Sequence, residues 1–265
     1  MFRFRFAAAV VCSFSLLFGP ALAQQPASPS ISAQALLQQS LAAQLGNTQV
    51  SDVTLTGTVR RIAGSDDESG TVTLKGLSGG TNRVDLSLSS GPRSEIRSIS
   101  TSGPSGSWSG PDGVAHAMAY HNVLTDNGLL PLFTISSILS NANSVLTLIG
   151  PETRNGQSVL HLTAVQQFPS LTGDSAALMQ HLTKMDIYVD ATTNLPASIA
   201  YKIHPDDNAL LDIPVELRFS DYRAVGGAQI PFRIQKSINN TLAFDLQFQT
   251  VALNSGLTAS QVGAQ

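Results

Sequence analysis

His116 and His121 are the closest pair among the histidines, and their five-residue spacing is wrong for a shared metal ion. On a strand they would point to opposite faces, and on a helix they miss the i, i+4 face that paired zinc ligands use; no glutamate lies between them. His161, His181 and His204 are isolated in the chain and read as ordinary structural histidines. Serine offers no nucleophile motif. Gly103-Pro104-Ser105-Gly106 and Gly106-Ser107-Trp108-Ser109-Gly110 lack the G-x-S-x-G spacing of a nucleophile elbow and read as turns. S-x-x-K, a phosphate-cradling glycine loop and a dinucleotide fingerprint are all absent, which disfavours nucleotide enzymes. Asp66-Asp67-Glu68 lacks the alternating oxygen-ligand spacing of a calcium loop and reads as an acidic hairpin tip. The sequence thus assigns no catalytic residue, no metal and no cofactor.

One chemistry leaves no local motif. Glycoside hydrolysis needs two carboxylates that can come from distant positions, and Asp186, Asp190, Glu216, Asp221 and Asp245 are available. They fall on the polar positions of strand-like stretches, so the economical reading is an exterior face that keeps the protein in solution. Asn239-Asn240-Thr241 matches an N-glycosylation sequon, which matters only in a eukaryotic secretory pathway.

The elements that would carry such residues follow an amino-terminal stretch that reads as a secretory signal. Arg3 and Arg5 precede an apolar run from Phe6 to Phe18, and Ala21-Leu22-Ala23 supplies a small-x-small cleavage site before Gln24. The run ends at Gly19-Pro20, short of the roughly 20 apolar residues of a membrane span. Residues 1–23 are therefore expected to be removed, 24–30 to form a Pro/Ser linker, and the product to be periplasmic or secreted. Cys12, the one cysteine, lies inside the signal, so neither a disulfide nor a lipid anchor is expected after cleavage. A formal charge of -3 with no basic run disfavours nucleic acid, which is bound by neutralising its phosphates.

Ala33, Leu36, Leu37, Leu41 and Leu45 make one helical stripe, with Ser30 or Ser32 to cap it and Gly46 to stop it. From Val53 the period drops to two. Val53, Leu55 and Val59, then Val72 and Leu74, then Val84, Leu86 and Leu88 predict three antiparallel strands joined by loops at 63–70 and 78–82; Glu95 to Ser100 is a further candidate. Val145 to Ile149 and Val159 to Ala164 predict two more around Asn155-Gly156. The last third predicts five, carried by Ile187, Ile199, Leu217, Ile234 and Leu246 with their alternating neighbours, in a meander with short turns. The apolar face of such a sheet has to be covered. Leu129 to Leu139 is too apolar for a surface helix, with Pro131 at its start and Asn141 at its end, and a shorter helix over Asp174 to Leu182 would turn Ala177, Leu178 and Leu182 inward. The expectation is a mainly β protein: one curved antiparallel sheet, an unclosed barrel of about ten or eleven strands, with about three helices on its concave face.

The stretch Met185-Asp186-Ile187-Tyr188-Val189-Asp190 with Leu195-Pro196 is followed by Leu217-Arg218-Phe219-Ser220-Asp221-Tyr222-Arg223, Val225-Gly226-Gly227 and Ile230-Pro231-Phe232-Arg233-Ile234. This succession, with Asn254 after the last strand, resembles the carboxyl-terminal half of LolA/LolB-like lipoprotein-carrier proteins. The resemblance implies an unclosed β-barrel over residues 31–254, ahead of a flexible tail at 255–265, with helices plugging an apolar cavity that takes acyl chains without covalent chemistry.

Three functions follow as expectations. The first is a non-enzymatic periplasmic protein binding an apolar or acylated ligand, in the manner of a carrier of lipoproteins or lipids. Leu55, Val59, Val72, Leu74, Leu86, Leu88 and Trp108 would form the walls, and Leu132, Phe133 and Ile138 the helical lid; each buried methylene would contribute about 0.8 kcal/mol. The second is a sensor or interaction module docking envelope proteins on the same fold. The third is the hydrolase with dispersed carboxylates.

Overall fold

The computed structural model describes Met1 and residues 31–100, 103–125 and 128–263; the expected signal peptide beyond Met1 and the expected Pro/Ser linker lie outside the described residues. The chain runs α1 (Ala33–Leu45), β1 (Asp52–Ala63), β2 (Asp66–Leu77), β3 (Asn82–Leu88), β4 (Gly91–Ser100), β5 (Gly103–Ser109), β6 (Ala115–Ala117), α2 (Tyr120–Val123) and α3 (Pro131–Ser140). It continues through β7 (Ser144–Arg154), β8 (Gln157–Gln166), α4 (Gly173–Leu182), β9 (Met185–Asp190), β10 (Pro196–Ile203), β11 (Ile213–Val225), β12 (Ala228–Ile238), β13 (Thr241–Leu253) and α5 (Ala259–Val262). No helix among the described residues is long and apolar enough to cross a membrane.

All the strands join one antiparallel sheet in the order β6-β5-β4-β3-β2-β1-β13-β12-β11-β10-β9-β8-β7, open at β6 and β7. Pairing of β1 with β13, Val53 opposite Leu253 and Val59 opposite Leu246, fuses two meanders into one surface. The expected curved sheet is present, with thirteen strands rather than ten or eleven. The additional strands are β5 and β6. Gly103 to Ser109, expected to be turns, pairs along its length with β4, and Ser94 and Ser109 join their hydroxyls at 2.9 Å. Asp66 to Gly70 was likewise expected in a loop and belongs to β2. Arg60–Asp67 at 2.5 Å and Arg61–Glu68 at 2.9 Å hold the hairpin out to a two-residue turn at Gly64-Ser65.

The buried residues of the sheet form one core cluster with those of α1 and α3. Leu36 and Leu37 of α1, Ile135 of α3, and Leu55, Leu74, Ile187, Ile199, Leu217 and Ile234 of the sheet are closed to solvent. Ser32 caps α1 by accepting from the Ala35 N–H at 3.1 Å, and Gly46 ends it. The buried stripe of α1 runs through Ser40 and Gln44, while Leu41 and Leu45 are only partly buried beside it. Pro131 to Ile135 are buried as a consecutive run, so the first half of α3 is enclosed on all sides, as its composition demands. In α4 Leu182 is buried and Leu178 half-buried, but Ala177 is exposed, a correction to its expected inward position.

The segment after β13 is tied to the sheet. Asp52 accepts from the Ser255 N–H and hydroxyl at 2.8 Å each, from the Gly256 N–H at 3.1 Å and from the Ser51 hydroxyl at 3.0 Å. Burial pushes this carboxyl up, but the hydrogen bonds outweigh that and hold it below the usual range. In the segment expected to be a flexible tail, α5 forms and buries Val262 completely.

Candidate functional site

The inner phase of the sheet does not stay apolar. On β1 it continues from Val59 to Arg61, and on β12 from Ile234 to Lys236. On β4 it carries Arg93, Glu95 and Arg97, which lie opposite Leu86, Val84 and Asn82 of β3. Trp108 of β5 lies opposite Glu95, and His116 of β6 opposite Trp108. One end of the inner face is thus charged where the rest is hydrocarbon.

A cavity of about 320 Å³ opens at that end. Its apolar lining is Val84, Leu86, Trp108, Leu129, Phe244 and Leu246; its polar lining is Arg61, Arg93, Ser94, Glu95, Ser109 and Lys236. Trp108 and Lys236 share this space although β5 and β12 are six strand spacings apart in the sheet order. A flat sheet would separate them by about 29 Å at about 4.8 Å per spacing, so only rolling of the sheet brings them together. Trp108, 43% exposed, stands at the rim and stacks on His116 with ring centroids 4.4 Å apart.

Most of the inward charge is internally balanced. Arg61 pairs with Glu68, whose carboxyl is held down at about 2 chiefly by the Ser90 hydroxyl, with the Ser90 N–H and Arg61 assisting. Arg97 pairs with Glu95 at 3.0 Å and donates to the carbonyls of Asn122 and Thr125 at 2.7 and 3.1 Å. Arg93 and Lys236 have no carboxylate partner among the described residues.

Of the residues expected to form the cavity, Leu86 and Trp108 line it. Leu55, Leu132 and Phe133 meet instead around a crevice of only about 10 Å³, where α3 fills the centre of the sheet. Val59, Val72, Leu74 and Leu88 are closely packed core, and Ile138 is partly buried on a shallow pocket of about 90 Å³ beside Thr134 and Met185. Sequence reasoning missed the cationic residues. Their signal was position: Arg61 and Lys236 each follow a buried residue at the two-residue period.

The histidines are less isolated than their spacing implied. His181 of α4 and His204 after β10 both direct Nε2 at Asp212 Oδ1, at 2.8 and 3.1 Å, and Lys202 holds the other oxygen. His121 lies edge-on to His204 with centroids 5.9 Å apart. These are metal-ligand types, but zinc-bound histidines donate their second N–H to an acceptor, and the buried Nδ1 of His204 has none. With Lys202 already balancing Asp212, the cluster works as a latch between α4 and the loop after β10. Burial pushes the Asp212 carboxyl up, but its hydrogen bonds from Lys202, His181 and His204 prevail and hold it at about 2.

Burial pushes the His204 pKa down, only partly offset by Asp212. The unfolded chain therefore takes up this proton first, and the folded state loses stability as pH falls through about 6.5. His204→Gln keeps a donor near Asp212 and removes the titration. Its unfolding free energy, followed by urea denaturation from about pH 7 to about pH 5, should decline less steeply than that of the unaltered protein. The difference in slope is at most about 1.4 kcal/mol per pH unit for one proton. Equal slopes would show that His204 is not the group being charged.

The acids considered for hydrolysis are occupied. Asp186 meets His161 at 2.9 Å, which stacks on Tyr188; Glu216 meets Arg154 at 3.0 Å; Asp221 and Asp245 meet Arg223 and Arg233 at 2.6 and 2.7 Å. Asp190 accepts from the N–H groups of Thr192 and Thr193 in its turn.

No protein-family model matches the sequence, and no curated protein matches it significantly. Solved structures do share its fold. A LolA-superfamily protein from Nitrosomonas europaea superimposes with a TM-score of 0.55 at 12% identity, over 88% of this chain and 98% of that one. A Vibrio parahaemolyticus domain named for outer membrane lipoprotein sorting gives 0.53 at 12% identity, over 85% and 95%. A DUF1329-family protein from Desulfovibrio piger gives 0.51 at 11% identity, over 87% and 97%. A rolled, unclosed antiparallel sheet plugged by helices, matched over nearly the whole of these chains, gives this protein the LolA-type fold of the lipoprotein-sorting proteins.

Proposed function

We propose that this chain is a non-enzymatic protein of the cell envelope that holds an apolar or acylated ligand in the cavity between β3–β5 and β12–β13, as a carrier would. Residues 1–23 act as the export signal in this reading, 24–30 as a linker, and 31–254 as the binding domain. The observation that carries it is the cavity itself. Its volume of about 320 Å³ falls within the usual range of small-molecule pockets, about 300–1,000 Å³, and its wall is largely hydrocarbon. Each methylene moved there from water contributes about 0.8 kcal/mol, so an acyl chain gains useful affinity by burial alone. The lipoprotein-sorting name of a structural neighbour supports the same ligand class.

The test is native mass spectrometry of the full chain expressed with its own amino terminus in a bacterial host and purified without detergent. Lipid adducts are expected on a protein beginning at Gln24, and Leu86→Trp, which fills the cavity, should remove them while the protein still unfolds cooperatively. A folded protein free of lipid that also refuses a fluorescent acyl probe would overturn the proposal.

A further inference from the structure

A cation turned into a sheet's inner face is expensive to desolvate unless it is paired. Two of the inward arginines obey this, Arg61 with Glu68 and Arg97 with Glu95. Arg93 does not. Its one hydrogen bond among the described residues goes to the Ser90 hydroxyl at 3.2 Å, and its Nε is shut off from solvent without an acceptor. Lys236 borders the same cavity, also without a carboxylate. Among the lining residues three cations, Arg61, Arg93 and Lys236, face one anion, Glu95, which Arg97 engages. The apolar wall therefore ends in two cations with no carboxylate partner among the described residues.

We propose that the cavity selects amphiphiles with an anionic head, a carboxylate or a phosphate, seated against Arg93 and Lys236 with the chain lying on Leu86, Phe244 and Leu246. This rests on the ligand-binding function proposed above and narrows its ligand class. The guanidinium of Arg93 suits either head by charge-assisted hydrogen bonding, and Lys236 adds a point charge. A neutral amphiphile would leave both cations facing hydrocarbon. Lengthening the apolar wall in place of Arg93 and Lys236 would serve neutral ligands better.

Trp108 is the only tryptophan of the chain and stands at the cavity rim, so its emission reports occupancy. Titration of the purified protein below the critical micelle concentration should show dodecanoate or dodecyl phosphate binding about 10-fold or more tightly than dodecanol, the gap expected of a charge-assisted hydrogen bond. Preference for one anion over the other identifies the head as a free carboxylate or a phosphoryl group. Arg93→Gln and Lys236→Gln should each lower the ratio of anion to alcohol affinity several-fold, whereas Arg60→Gln, exposed on the opposite phase of β1 from Arg61 and outside the cavity lining, should leave it unaltered. Equal affinity for dodecanol, or a ratio indifferent to both inner substitutions, would overturn the anion selectivity alone. Inorganic phosphate binding as tightly as dodecyl phosphate would overturn the selection of amphiphiles, since the chain would then contribute nothing. Failure of every amphiphile would remove the proposed ligand-binding function as well.

Discussion

Replacing Gly70 with valine is expected to destabilise the protein by about 2–4 kcal/mol, enough to remove a large part of a domain's net stability. A Cβ at this position would stand 1.9 Å from the backbone carbonyl oxygen of Ser87, and backbone cannot move aside as a side-chain tip can. Gly57 makes the same demand from the neighbouring strand, where a Cβ would stand 2.1 Å from the Gln247 carbonyl oxygen, beside a bulge between Thr56 and Gly57. Gly57 lies opposite Val72, and Gly70 opposite Val59, so the two glycines are close neighbours on the inner face. There the strands approach more closely than side chains permit, and the sheet rolls. Gly79→Ala is the control: nothing lies within 4 Å of the added carbon, and a change within about 0.5 kcal/mol is expected. Urea denaturation measures all three. A Gly70→Val protein as stable as Gly79→Ala would show that the roll does not depend on the missing side chains.

Truncating Ile135 to alanine should remove about 2–5 kcal/mol, because the side chain is 0% exposed in the half of α3 that enters the sheet. Leu132 and Phe133 on the same turns are packed into the core, so little can collapse into the void. Ser137, exposed two residues further along α3, provides the comparison; Ser137→Ala should be neutral or slightly favourable through helix propensity. Thermal and urea unfolding of both variants decide it. Near-equal stabilities would mean that α3 merely rests on the sheet and does not fill it.

The strands of the last third were legible because each keeps an apolar residue at every second position, and the helices α1 and α3 because Ser32, Gly46 and Pro131 mark their ends. The strand β5 and the start of β2 were not, for one shared reason. Their residues are Gly, Ser, Pro and Asp, which favour turns locally, and pairing with β4 and β1 overrides that preference. Arg61, Arg93 and Lys236 were overlooked as site residues because a cation in a strand is ordinarily taken to face water; their inward phase becomes visible only when register is known. His181, His204 and Asp212 come together from α4 and from the two sides of a loop, which no spacing rule relates.

Alternation and capping, both local properties of neighbouring residues, were enough to specify a long antiparallel meander with one greasy face and the helices to cover it. They could not specify where that cover stops. That was settled by how tightly the sheet rolls at Gly57 and Gly70 and how deeply α3 penetrates, because together these leave space between strands far apart in the sheet. The cavity, with two cations at its wall that have no carboxylate partner among the described residues, is a property of long-range packing and has no counterpart in any short stretch of the chain.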